Sequence, residues 1–145
     1  ISLKKRWKDL PAAYRGNLVP GFPNLFMVTG PNAGVGSTSI LYMVEAALAL
    51  IMQCIEIAGN DQLISVTEQA HTDYNKHIQR DLRETVWAAS CNSWYKRPSG
   101  EIPTLYPYSA RTFKRQHRKL NRKHFEIVPA IRSVAFTQSN ADGKH

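Results

Sequence analysis

Cysteine is scarce in this chain, with two in 145 residues, Cys54 and Cys91, far apart in sequence. Neither belongs to a metal or redox motif, so the expectation is two buried thiols in a reduced, cytoplasmic protein. The five histidines offer no ligand spacing either. His71 and His77 are six apart, on different faces of a helix, and no metal site is expected. Long apolar runs are also missing. The longest, Ala46 to Met52, is seven residues, whereas a bilayer needs roughly 20, so no membrane span is expected. Ser2 to Asp9 is polar and charged, without the apolar segment of a secretory signal. The first residue is Ile1 and not Met, which points to a truncated amino end. Acid is absent from Arg111 to His124, where seven of the nineteen Lys and Arg residues sit. The rest of the chain carries twelve bases against eleven acids, so the net charge of +8 is a local strip.

What is present suffices for a packed domain. Hydrophobic residues make up 43% and aromatics 10%, which excludes a disordered chain. Residues 1–19 read as loop with a short helical turn. Pro20-Gly21-Phe22-Pro23 is a turn, Pro presetting φ and Gly accepting positive φ. Leu25-Phe26-Met27-Val28-Thr29 has the pattern of a strand covered on both faces. Gly30-Pro31-Asn32-Ala33-Gly34-Val35-Gly36 then interrupts regular structure.

A helix is predicted from Ser37 to Ala58, closed by Gly59. Its polar residues after the first turn, Glu45, Gln53 and Glu56, share one narrow stripe, so a buried helix is expected. Ser65-x-x-Glu68 reads as a capping box for a second helix, in which Ala70, Tyr74, Ile78, Leu82 and Val86 recur every fourth residue. Ser93-Trp94-Tyr95 and Thr104 to Tyr108 look extended around a Pro98-Ser99-Gly100 turn. Residues 128–145 are expected to be a poorly ordered tail. A covered strand and a covered helix need neighbours on several sides, more than this chain supplies.

Strand, glycine-rich turn and helix is a recurrent way to hold a phosphate or another anion at a helix start. Gly30, Gly34 and Gly36 do not spell G-x-G-x-x-G, and no Lys precedes Ser37, so neither a dinucleotide fingerprint nor a P-loop is present. Spacing alone leaves an anion-facing helix start and a plain tight turn both open.

The wording of the stretch carries more. Val19-Pro20-Gly21-Phe22-Pro23-Asn24-Leu25-Phe26-Met27, followed by Gly30 to Gly36, resembles the class B flavoprotein monooxygenases, which include the Baeyer–Villiger and flavin-containing monooxygenases. Ser2-Leu3 through Trp7, Tyr14-Arg15-Gly16, Glu45, Val86-Trp87-Ala88, Cys91-Asn92-Ser93-Trp94-Tyr95 and the run from Tyr106 to Arg118 keep the same order. The resemblance covers roughly residues 1–127.

It implies an α/β fold: the carboxy-terminal fragment of a Rossmann-like flavoprotein with two dinucleotide-binding domains, one buried strand followed by two helices and irregular extended segments. Residues 1–127 would complete the FAD domain, with a cofactor-covering loop near residues 91–100. By the same resemblance Gly36, Ser37, Thr38 and Ser39 would face the pyrimidine end of FAD, with Asn32 shaping the turn. A helix start there would stabilise the negative charge of a reduced flavin. Ser37 and Thr38 as mere helix caps are the alternative. Trp94 would contact NADP through its indole N–H, against the alternative of a core tryptophan beside Cys91.

The implied reaction uses FAD, NADPH and O2 to place one oxygen atom into a ketone or onto a soft N or S centre through a C4a-peroxyflavin. Both nucleotide fingerprints, the motif linking the two domains and the family's catalytic arginine are absent, so no catalytic residue is assigned. The isolated chain is expected to be poorly soluble or molten and to bind no FAD. The rivals are an inactive remnant and a small nucleic-acid-binding module. In the latter, strip 111–124 neutralises phosphates while Phe113 stacks on a base.

Overall fold

The computed structural model describes residues 2–34, 39–86 and 96–130. In chain order it contains helix α1 (Leu3–Arg6), α2 (Ile40–Ala58), strand β1 (Gln62–Val66), α3 (Glu68–Arg83), α4 (Ala110–His117), a 3-10 turn (Arg122–His124) and β2 (Phe125–Pro129). The short helix before residue 19, the turn at Pro20 and the four-residue period of α3 follow the sequence reading. Gly21 has φ +79° and Phe22 N–H closes the turn on the Val19 carbonyl at 3.3 Å.

β1 and β2 pair antiparallel, with Ile64 opposite Ile127 and Ser65 opposite Glu126. α2 runs between two cores. One gathers Tyr14, Leu18, Leu50, Cys54, Ile64, Val66 and Phe125; the other gathers Met43, Ala46, Ile78, Leu82, Ile102, Leu105 and Phe113. Gln53 ties α2 to the end of α4: its Nε2 donates to the His117 carbonyl (3.3 Å) and its Oε1 accepts from Leu120 N–H (2.9 Å).

Several expectations are corrected. Leu25–Thr29 is no strand and is not covered: Leu25 is 38% and Val28 40% exposed. Side-chain amides take the place of a ladder there. Asn24, at φ +57°, accepts Ile64 N–H on Oδ1 (2.9 Å) while its own N–H reaches the Ile64 carbonyl (3.0 Å). Asn17 does the same for Met27, giving its Nδ2 to the Met27 carbonyl (2.6 Å) and accepting Met27 N–H on its own carbonyl (2.9 Å). One asparagine thus pairs Met27 and the other anchors the start of the segment to β1, without a second strand.

Ser65 caps nothing. It lies in β1, held extended by its pairing with Glu126, and Thr67 is the cap, accepting from Ala70 N–H at 3.2 Å. Glu68 turns outward instead and takes a bidentate pair from Arg6 (2.7 and 2.6 Å). Val86 falls beyond α3 and is 77% exposed. Val128 and Pro129 belong to β2 and not to the tail; residues 131–145 lie outside those described.

α2 starts at Ile40, three residues later than predicted, and only part of it is buried. Met43, Ala47, Leu50, Ile51 and Cys54 face the cores, while Leu41 (68% exposed), Leu48 (42%), Met52 (51%) and Ile55 (45%) form a second apolar stripe on the far side. At 100° per residue these four fall within about 60° of one another. By length and mean hydropathy (1.9) α2 could cross a bilayer, but its packing on β1 and α4 makes it a core helix with one uncovered flank.

Candidate functional site

The glycine-rich turn is built from two sides. Gly30 and Gly16 lie so close that a Cβ on Gly30 would stand 2.4 Å from the Gly16 carbonyl oxygen, and one on Gly16 would stand 2.8 Å from the Ala33 Cβ. On the other side Gly34 N–H donates to the Thr104 carbonyl (2.9 Å) and Tyr106 N–H to the Gly34 carbonyl (2.7 Å), forming a parallel bridge between Gly34 and Leu105. A Cβ on Gly34 would meet the Thr104 oxygen at 2.8 Å. Gly30 and Gly34 are thus explained by close backbone approach.

Asn32 locks the turn. It is 1% exposed, at φ +55°, a region that asparagine tolerates better than most residues. Its Nδ2 donates to the carbonyls of Ile102 (2.7 Å) and Leu105 (2.8 Å), and its N–H to that of Pro103 (2.8 Å). Gln79 on α3 clamps the same segment, accepting Ile102 N–H (3.1 Å) and donating to its carbonyl (3.0 Å). These bonds hold the turn, and the Asn32 amide nitrogen is fully spent on protein carbonyls.

Beyond Gly34 the chain enters α2. Ser39 is its N-cap residue but makes no side-chain capping bond, and no acid stands in the first turn. Ser39, Ile40 and Leu41 are exposed. Among the described residues, no side chain caps the first amide groups at the positive end of this helix. Of the predicted flavin-facing set, Asn32 and Ser39 are placed at the two ends of this approach. Gly36, Ser37, Thr38 and the predicted NADP contact Trp94 lie outside the described residues, as does Cys91. The clamping roles of Gln79 and Gly16 had no signal in the sequence beyond the Tyr14-Arg15-Gly16 wording.

Groups that could do chemistry are quiet. The Cys54 thiol is buried and pushed up to about 11 by that burial, so it is no nucleophile near neutrality. His117 is fully buried and stacked on Phe113 (3.8 Å between ring centres). Burial pushes it below the ordinary histidine range, against the opposing pull of the Phe113 and Arg15 carbonyls it faces. Among the described residues no group of three acids, histidines or cysteines could hold a metal. Phe113 is itself 0% exposed, so the basic strip lacks the stacking ring that the nucleic-acid reading required.

No family model matches the chain. Curated relatives do. A Baeyer–Villiger monooxygenase of Pseudomonas aeruginosa is 34% identical over 126 residues, which is 84% of this chain and 24% of that protein. Another, of Streptomyces coelicolor, is 30% identical over 97% of the chain and 28% of its own length. An FAD-binding monooxygenase of Aspergillus terreus is 33% identical over 86% of the chain. This chain is a relative of the class B flavoprotein monooxygenases.

It spans about a quarter of the length of the flavoproteins it matches. Solved structures agree on the fold. The closed form of cyclohexanone monooxygenase superposes with a TM-score of 0.74 at 22% identity, over 90% of this chain and 26% of that one. Cyclohexanone monooxygenase from Rhodococcus sp. Phi1 bound to NADP+ gives 0.70 at 21% identity, over 88% and 25%. The fold is that of one part of a two-domain, Rossmann-type flavoprotein, without the single covered strand predicted at Leu25–Thr29.

Proposed function

We propose that the chain acts as the carboxy-terminal segment of an FAD- and NADPH-dependent monooxygenase, one that places an oxygen atom from O2 into a ketone or onto a soft N or S centre. Its relatives are named Baeyer–Villiger and FAD-binding monooxygenases. A related structure is a complex of cyclohexanone monooxygenase with cyclohexanone. The observation that carries the reading is the braced turn opening onto an uncapped helix. Asn32 and Gln79 brace the turn against the segment at Ile102, and among the described residues neither the Ser39 side chain nor an acid of the first turn caps α2.

An electron-rich ring edge fits there. FAD, when bound, supplies hydride acceptance and oxygen activation; this segment supplies position and field. Residues Gly36, Ser37, Thr38 and Ser39 offer amide N–H groups toward the pyrimidine end of FAD, and Asn32 contributes through the turn rather than by contact. Trp94 contacts NADP through its indole N–H. The uncovered stripe of Leu41, Leu48, Met52 and Ile55 is what the rest of such a protein would cover, since contiguous exposed apolar surface marks an interaction face.

The test supplies this chain in trans to a Baeyer–Villiger relative lacking the matching segment, then follows NADPH oxidation with cyclohexanone as probe. Ketone-dependent turnover that requires the chain supports the reading. A mixture that holds together without such turnover refutes it.

A further inference from the structure

A cavity of about 310 Å3 lies between α3 and the segment leading into α4. That size is at the lower bound of small-molecule sites. Its walls are aromatic: Tyr14 and Tyr74 stand 5.4 Å apart at 58°, and Tyr108 joins them. Its polar groups are mainly donors. Asn121 Oδ1 is taken by Lys123 N–H (3.2 Å), so the Asn121 amide nitrogen faces His124 Nε2 (3.1 Å). Nε2 therefore accepts, and in the neutral ring Nδ1 carries the hydrogen and donates to the Tyr14 hydroxyl (2.7 Å). The phenolic proton of Tyr14 is left to donate elsewhere.

The Arg15 guanidinium lies 5.2 Å over the Tyr14 ring, with one nitrogen bonded to the Gln116 and Lys119 carbonyls. Gln116 also lines the cavity; its Oε1 is taken by the Tyr106 hydroxyl (2.9 Å), so it has N–H to offer. The Tyr74 hydroxyl, on a residue of the same wall, is buried and has no partner among the described residues. Buried hydroxyls without partners are rare enough to require an explanation. The one carboxylate among the described lining residues is Asp73, exposed at the rim and held by Gln69 (2.9 and 2.8 Å).

Aromatic walls, surplus donors and a guanidinium select a flat ligand bearing an acceptor of negative charge. We propose that this cavity is a binding site for a small aromatic carboxylate, its ring against the wall formed by Tyr14, Tyr74 and Tyr108 and its oxygens toward the Tyr14 hydroxyl and Arg15. The site goes beyond the monooxygenase reading and uses none of its cofactor-facing residues.

Calorimetric titration of the full chain with benzoate, without flavin or NADPH, tests it. One saturable site is expected, with benzamide bound at least about tenfold more weakly, because the charged acceptor forms the stronger hydrogen bonds. Tyr14→Phe should weaken benzoate about tenfold through loss of a donor to a charged group. Asp73→Asn, at an exposed position, should tighten it a few-fold by removing like charge from the rim. Absence of saturable binding in both the parent and Asp73→Asn proteins, leaving a cavity that holds water only, overturns the proposal. Equal affinity for benzoate and benzamide, or an unaltered benzoate affinity in folded Tyr14→Phe protein, does so as well.

Discussion

Replacing Asn32 probes the turn that positions α2. In Asn32→Ala the Leu105 carbonyl loses the side-chain donor 2.8 Å away, which for a buried acceptor costs about 1–3 kcal/mol. The Ile102 carbonyl keeps Gln79 at 3.0 Å, so losing Asn32 there costs only about 0.5–1.5 kcal/mol. Alanine at φ +55° adds about 1 kcal/mol of backbone strain. Asn32→Ala should therefore destabilise by about 3–5 kcal/mol. Asn32→Gly, which gives up the same bonds without the strain, should lie about 1 kcal/mol closer to the parent. Urea unfolding of the full chain, followed by far-UV circular dichroism, measures both. A loss under about 1 kcal/mol for Asn32→Ala, or a glycine variant less stable than the alanine one, would refute the reasoning.

Three further predictions use the same measurement. Thr67→Ala should cost about 1 kcal/mol as a lost N-cap, and Ser65→Ala less than about 0.5; the reverse order would restore Ser65 as the cap. Gly34→Ala, driven against the Thr104 carbonyl, should cost more than Gly59→Ala, where φ is +56° but a Cβ meets open space; the latter should cost about 1 kcal/mol. Acid should destabilise the chain as pH falls below about 6.5. His71, His117 and His124 are all held below their ordinary range, burial being the leading cause. The unfolded chain then takes up protons first, so stability is complete above about pH 6.5 and lost progressively as pH falls below it. Glu68 and Asp81, lowered by their arginine partners, act at lower pH. A urea midpoint unchanged between pH 7.5 and 5.5 would contradict this.

The elements legible in the sequence were those with long periods. The four-residue repeat of Ala70, Tyr74, Ile78 and Leu82 identified α3, and Gly59 identified the end of α2. The strand predicted at Leu25–Thr29 failed because an apolar run says nothing about how its backbone is satisfied, and here Asn17 bonds Met27 while Asn24 pins the start of the segment to β1. β1 was missed since its five residues carry Ser65, whose local pattern with Glu68 imitates a cap. Pairing with Glu126, some sixty residues away, decides otherwise. At the site, the glycine-rich turn before α2 was readable, though α2 begins three residues later than predicted; Gln79 and the segment 102–106 were not, because a clamp on backbone carbonyls leaves no spacing to read. Poor solubility through the exposed stripe of α2 is the expected behaviour.

The most direct test of the central claim is an equilibrium FAD titration of the chain alone and after mixing with the complementary part of a Baeyer–Villiger relative that lacks this segment. The chain alone should bind none, the complement alone weakly, and the mixture one FAD tightly. Leu48→Lys with Met52→Lys should abolish the gain while leaving the chain folded. One FAD bound by the chain alone, or a mixture no tighter than the complement, would contradict the account.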